Sequence, residues 1–180
     1  MMRSVLVALV VGLAAAQPSF AQVPYAGLQV RPVKALSEQQ IADLKAGRGM
    51  GLALPAELNG YPGPSHLLEL ADPIGLTDAQ RQTVRGLFDD MKAETIPIGE
   101  QLIAQETELD ALFATREATA ERIAALTAEI GATQARLRAA HLRYHLSTLD
   151  LLQPAQVERY AELRGYRDGV ASGQQHHHGR

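Results

Sequence analysis

On either side of a short polar link, apolar residues between Val84 and Leu151 recur at seven-residue spacing. Val84, Met91, Ile98 and Leu112 share one frame, with Phe88, Leu102 and Leu109 interleaved. After the polar link ATREAT a second pattern recurs at sevens, at Ile123, Ile130, Leu137, Tyr144 and Leu151. A strand presents alternate residues to a core, so this spacing suits only a helix whose apolar stripe faces a partner. Two such helices joined by so short a link run antiparallel. Pro97 falls inside the first stripe, where it removes one backbone hydrogen bond and bends the axis; the reading is one kinked helix over 78–113 rather than two.

Three phrases start helices. In LTDAQ, Thr77 accepts from the backbone N–H of Gln80 and the Gln80 side chain reaches back to the N–H of Thr77, a capping box. LSEQQ at 36–40 has the same form, with Ser37 and Gln40, and starts a short helix that ends at Gly47. LLQPAQ at 151–156 places Gln153 at the cap and Pro154 at the first helical position, where its missing N–H costs nothing, with Gln156 following. It opens a last helix over about 154–167. The fold class is therefore all-α: a long antiparallel helical hairpin with short flanking helices, about four in all.

The ends carry a different message. MMRSVLVALVVGLAAAQPSFAQ has one Arg, an apolar run from Val5 to Ala16, and a small-x-small pattern at Ser19–Ala21, which together read as a secretory signal peptide over 1–21. The run is shorter than the roughly 20 residues a membrane-spanning helix needs. The tail, 169–180, with His176, His177 and His178, reads as disordered. Between them lie an N-terminal arm at 22–63, with one short helix and a Gly/Pro-rich segment, and the helical domain at 64–168. Leu52, Leu54, Leu58 and Tyr61 in the arm are expected to pack along the hairpin or on a partner chain.

An exported chain with no cysteine has no disulfide framework, so its core must come from packing. Without Arg3 there are 16 basic against 20 acidic residues, which is no nucleic-acid footprint. The charges divide along the hairpin: acids crowd 89–110 and arginines crowd 136–167, a pattern of pairing beside an apolar seam. A two-helix hairpin buries little alone, and a homodimer is the expected remedy. Gly-x-Ser-x-Gly, His-Glu-x-x-His and a cysteine nucleophile are all missing, and the glycines at 47, 49 and 51 follow no strand and precede no Gly-Lys-Ser/Thr, so no enzyme is expected.

The export signal, the small cysteine-free helical domain and the paired phrases at Leu76, Thr77, Gln80 and at Leu152, Pro154, Gln156 resemble the CpxP/Spy family of periplasmic stress proteins. Its relatives include the CnrX-type heavy-metal sensors and the zinc resistance-associated protein. The likeness covers roughly 64–167, with Gln153 where the family usually has Thr. It implies an intertwined, hook-shaped four-helix dimer in the periplasm without enzymatic activity. It also implies one of two tasks. One is transition-metal binding or sensing, with a membrane-bound sensor or regulator as partner; the other is a holdase that cradles unfolded envelope proteins.

Histidines separate the two. HLRYH places His141 and His145 one turn apart on a helix face, a spacing that suits imidazole ligation of Zn, Cu, Ni or Co. His66 and Glu69 lie on a short helix before Thr77, and the hairpin returns 141–150 toward 78–88, so the candidate metal set is His66, Glu69, His141 and His145. In the metal sensors the His/Met pair lies about one turn nearer the final phrase, where this chain has Tyr144 and Thr148. The same two histidines also fit the seam as core residues. Met50 and Met91 are further soft donors, with Met91 on the core stripe. For the holdase reading, the arginines of 136–143 and 159–167 with Tyr144, Tyr160 and Tyr166 would supply an adaptable surface, although the same tyrosines fit equally well as core residues with their hydroxyls at the rim.

Overall fold

The computed structural model describes residues 25–166, so the signal stretch at 1–21 and the tail at 169–180 lie outside the described residues. After a 3-10 turn at Leu28–Val30 come seven helices: α1 Glu38–Lys45, α2 Leu54–Glu57, α3 Pro64–Glu69, α4 Ala71–Ile74, α5 Asp78–Ala114, α6 Ala120–Leu149 and α7 Pro154–Leu163. No strand occurs among the described residues. No helix among them is long and apolar enough to cross a membrane.

The two long helices form the hairpin read from the seven-residue frame. Arg136 donates to Gln101 Oε1 at 2.8 Å, and Arg143 pairs with Glu94, so ascending positions on α6 meet descending positions on α5. That order is antiparallel. Helix α5 continues unbroken through Pro97. The link reverses direction at Arg116, whose φ of 59° lies in the left-handed region.

Both predicted capping boxes form. Gln40 N–H donates to Ser37 Oγ at 3.1 Å and Ser37 N–H to Gln40 Oε1 at 2.8 Å; Gln80 N–H donates to Thr77 Oγ1 at 3.2 Å and Thr77 N–H to Gln80 Oε1 at 3.0 Å. Pro154 opens α7 as expected, and Gln153 N–H donates to Gln156 Oε1 at 3.0 Å. The repeated phrase has a second role that capping alone does not require. Gln80 Nε2 donates to Leu151 O and to Gln156 Oε1, both at 2.9 Å, while Gln156 Nε2 donates to Gly75 O at 3.2 Å and to Gln80 Oε1 at 3.1 Å. Each glutamine thus caps its own helix and reaches the turn before the other, which pins the starts of α5 and α7 together.

Packing divides into two apolar clusters. Leu44 of α1 joins Leu102 and Leu112 of α5 and Leu126, Ile130 and Leu137 of α6 in the first. Leu67, Ala71, Ile74, Leu76, Val84 and Tyr160 form the second, which holds α3, α4 and α7 against the start of α5. The arm shares the first cluster through Leu44 and Leu52. It lies close enough to α5 that a Cβ on Gly99 would stand 2.7 Å from the Leu44 carbonyl oxygen.

The arm leucines divide, and one expectation about the seam is corrected. Leu54 and Leu58 remain 50% and 56% exposed, because α2 is a single turn that turns Ala53 and Glu57 inward instead. Tyr144 is only half-buried; the buried positions between Leu137 and Thr148 are Ala140, His141 and His145. Polar residues therefore fill the stretch of the hairpin that separates the two apolar clusters, with Thr95 of α5 and Thr148 of α6 also buried there.

Candidate metal site

In that polar stretch a cavity of about 550 Å³ opens among α2, α3, α5, α6 and the glycine-rich loop of the arm. His66, Glu69, His141 and His145 all line it, together with Glu57, Met50 and Met91. The hairpin topology thus brings the four predicted residues to one cavity. It does not close them into a ligand shell: among the described residues no three His, Cys, Asp or Glu side chains are grouped to hold a metal ion.

The two histidines of α6 are held differently. His145 Nδ1 lies 2.6 Å from the Tyr61 carbonyl oxygen. A carbonyl only accepts, so Nδ1 carries the proton, and a neutral ring then keeps its lone pair on Nε2. Orienting a ring through its other nitrogen in this way is how proteins prepare an imidazole for a metal. The space before Nε2 is kept open by a glycine, since a Cβ on Gly63 would stand 2.8 Å from it.

His141 is 2% exposed and its Nε2 has no hydrogen-bond partner. Burial, with the neighbouring His145 ring adding to it, holds the imidazole below its ordinary pKa, against a smaller upward pull from Glu94. His141 is therefore neutral at pH 7, the form that can ligate a metal. Gly49 comes close to this ring, its absent Cβ standing 3.6 Å from Nδ1.

From α3, His66 is half-exposed, with Nδ1 3.4 Å from Glu57 Oε1. Glu69 is exposed. The two methionines frame the cavity unequally. Met91 is buried at 6% as its place on the core stripe predicted, whereas Met50 is 41% exposed on the arm loop, with a left-handed φ of 44°.

Glu57 was missed from sequence. It is 4% exposed and accepts from Gly63 N–H at 3.2 Å, Tyr166 OH at 3.0 Å and Tyr160 OH. Burial pushes its carboxyl up, but the two tyrosine hydroxyls, the Gly63 amide and His66 together outweigh burial and hold it below the usual range. The phenol of Tyr160 is pushed up by burial and by the same carboxylate. One signal was available: between Arg48 and His66, Glu57 is the only charged residue in an otherwise apolar, Gly/Pro-rich stretch.

A small all-α domain built on an antiparallel hairpin, with a pair of buried histidines facing a cavity between two capping phrases, defines a class. The chain belongs to the heavy-metal resistance family, whose profile matches residues 50–159, within the CpxP/Spy-like group that carries the LTxxQ phrase. The match begins inside the Gly/Pro-rich segment and takes in Met50, Glu57 and all three cavity histidines. No curated protein and no solved structure matches the chain.

Proposed function

We propose that the protein is a non-enzymatic, exported stress-response protein that captures a transition-metal ion in this cavity, with His141 and His145 as anchors and His66 as the third donor. The observation that carries the reading is the unpartnered Nε2 of His141. A buried polar atom left without a partner costs about 1–3 kcal/mol, and native folds keep such atoms rarely. A metal ion repays that cost, since a neutral imidazole is a ligand as well as an acceptor. Imidazole nitrogens with a thioether nearby suit Zn, Cu, Ni or Co rather than the oxygen-loving Mg or Ca. Bound there, the ion would supply a cross-link between α6 and α3. His66 is the accessible member of the set, since its side chain is 42% exposed where His145 is 10%.

Removal of residues 1–21 on export would place the protein in the periplasm, as the signal pattern and the family resemblance both suggest. A homodimer suits the exposed Leu54, Leu58 and Leu146 and would give a membrane-bound regulator a symmetric surface to read. Those leucines also favour a second reading, a holdase for unfolded envelope proteins, because exposed apolar side chains are what such a surface offers.

Titration calorimetry with Zn, Cu, Ni and Co separates the readings. The titrated protein is the His176→Ala, His177→Ala, His178→Ala variant, so that the tail contributes nothing. Micromolar or tighter binding at fixed stoichiometry, abolished in His141→Ala while the circular dichroism of the helices is kept, is the expected result. Unchanged binding in His141→Ala overturns the site. No binding by the parent protein overturns metal capture, and suppression of aggregation of an unfolded client would then decide for the holdase.

A further inference from the structure

Glu57 faces two ways. Toward the cavity, its Oε1 is 3.4 Å from His66 Nδ1 and its Oε2 is 3.8 Å from His145 Nδ1. Away from it, the carboxylate accepts from Tyr160 OH and from Tyr166 OH at 3.0 Å, and Arg164 Nε lies 3.8 Å from Oε1 while donating to Tyr166 OH at 3.0 Å. Helix α7 contributes no residue to the cavity wall. Its seat in the core rests on Tyr160, 1% exposed and its only fully buried side chain. One buried carboxylate thus links the histidines of α3 and α6 to the helix that closes the domain.

We propose that Glu57 is a positioning residue that couples occupation of the cavity to the docking of α7; this rests on the metal-capture reading above. A carboxylate has two oxygens and about four lone-pair positions, and here two phenols and the Gly63 amide already take three of them, with the Arg164 guanidinium 3.8 Å away. A divalent cation brought into a cavity that Glu57 lines becomes the largest local charge and draws the carboxylate toward itself. The hydrogen bonds to Tyr160 and Tyr166 weaken as a result, and α7 loosens. The coupling is reciprocal: whatever frees α7 from Glu57 raises affinity for the cation by the same factor. Ion capture would then be reported at the far end of the domain, through a helix that never touches the ion.

The test uses the alanine-tailed protein, zinc alone as the probe, amide hydrogen exchange of residues 154–163, and calorimetric zinc affinity. Saturating zinc is expected to speed exchange in α7 at least threefold. In Tyr160→Phe, which keeps the ring and removes the hydroxyl, exchange is expected to be fast without zinc and indifferent to it, with zinc affinity at least threefold tighter than in the parent. A merely structural hydroxyl would not tighten zinc binding. Tyr166→Phe, at a half-buried position, gives the same two readings if Tyr160→Phe does not fold. Zinc binding with unchanged or slower α7 exchange, or with weakened affinity in the phenylalanine variant, overturns the coupling and leaves metal capture standing. Absence of zinc binding to the parent overturns both.

Discussion

Replacing Gly63 by alanine probes the cavity wall with a single methyl group. Gly63 sits at the N-cap of α3 with φ −82° and ψ 151°, which any residue adopts, so backbone strain plays no part. The new Cβ would stand 2.7 Å from His145 Cε1 and 2.8 Å from Nε2, and the ring is 8% exposed with nowhere to go. Overpacking of this kind costs about 1–3 kcal/mol. Displacing the ring also weakens the 2.6 Å contact between Nδ1 and Tyr61 O, a hydrogen bond worth about 1 kcal/mol. The expected loss is about 2–4 kcal/mol. At roughly 3 °C per kcal/mol for a domain of this size, Tm falls by about 6–12 °C. Thermal melting followed by circular dichroism reads this directly, and zinc affinity should drop at least tenfold because the methyl fills the space before Nε2. Gly86→Ala and Gly131→Ala are the controls. Each lies within a long helix with nothing within 4 Å of the added Cβ, so each should gain up to about 1 kcal/mol from helix propensity. A Gly63→Ala protein that melts with the parent, or binds zinc as tightly, would refute the placement of His145 against this turn.

Two further outcomes follow from the hydrogen bonds and the charge states. Gln80→Ala removes the reciprocal cap on Thr77, the link to Leu151 O in the turn before α7 and the link to Gln156 within α7, so a loss of roughly 2–3 kcal/mol in urea unfolding is expected, well beyond the cost of a cap alone. The unfolded His141 takes up its proton near pH 6.5, whereas the folded ring does so only at lower pH. The unfolded state therefore binds more protons in the window below 6.5; this stability is complete above it and is lost as the pH falls through it. Melting temperature should decline from pH 7 toward 5.5, and His141→Gln should flatten that slope.

The hairpin was legible because its signal is long and periodic. Seven-residue spacing over both stripes leaves one way to bury them, and the capping boxes at Ser37 and Thr77 fix where α1 and α5 start. The bringing together of His66, His141 and His145 was legible for the same reason, since an antiparallel return dictates which ends meet. What escaped were features set by tertiary contact rather than by period. The single turn of α2 carries no periodic pattern; Glu57 stood out as the one charge between Arg48 and His66, but only docking turns it inward while Leu54 and Leu58 stay in solvent. Short elements take their facing from what they dock on. The crossed hydrogen bonds of Gln80 and Gln156 were likewise invisible, because each phrase is complete as a cap by itself and only the fold sets them side by side.

Under the proposed function a metal ion is held by the Nε2 atoms of His141 and His145. Long-range 1H–15N correlation of the imidazole nitrogens in the alanine-tailed protein, recorded with and without one equivalent of zinc, tests it atom by atom. Both Nε2 resonances are expected to move to the metal-bound range while Nδ1 of His145 stays protonated on the Tyr61 carbonyl. Unmoved Nε2 signals from His141 and His145 under zinc saturation would contradict it.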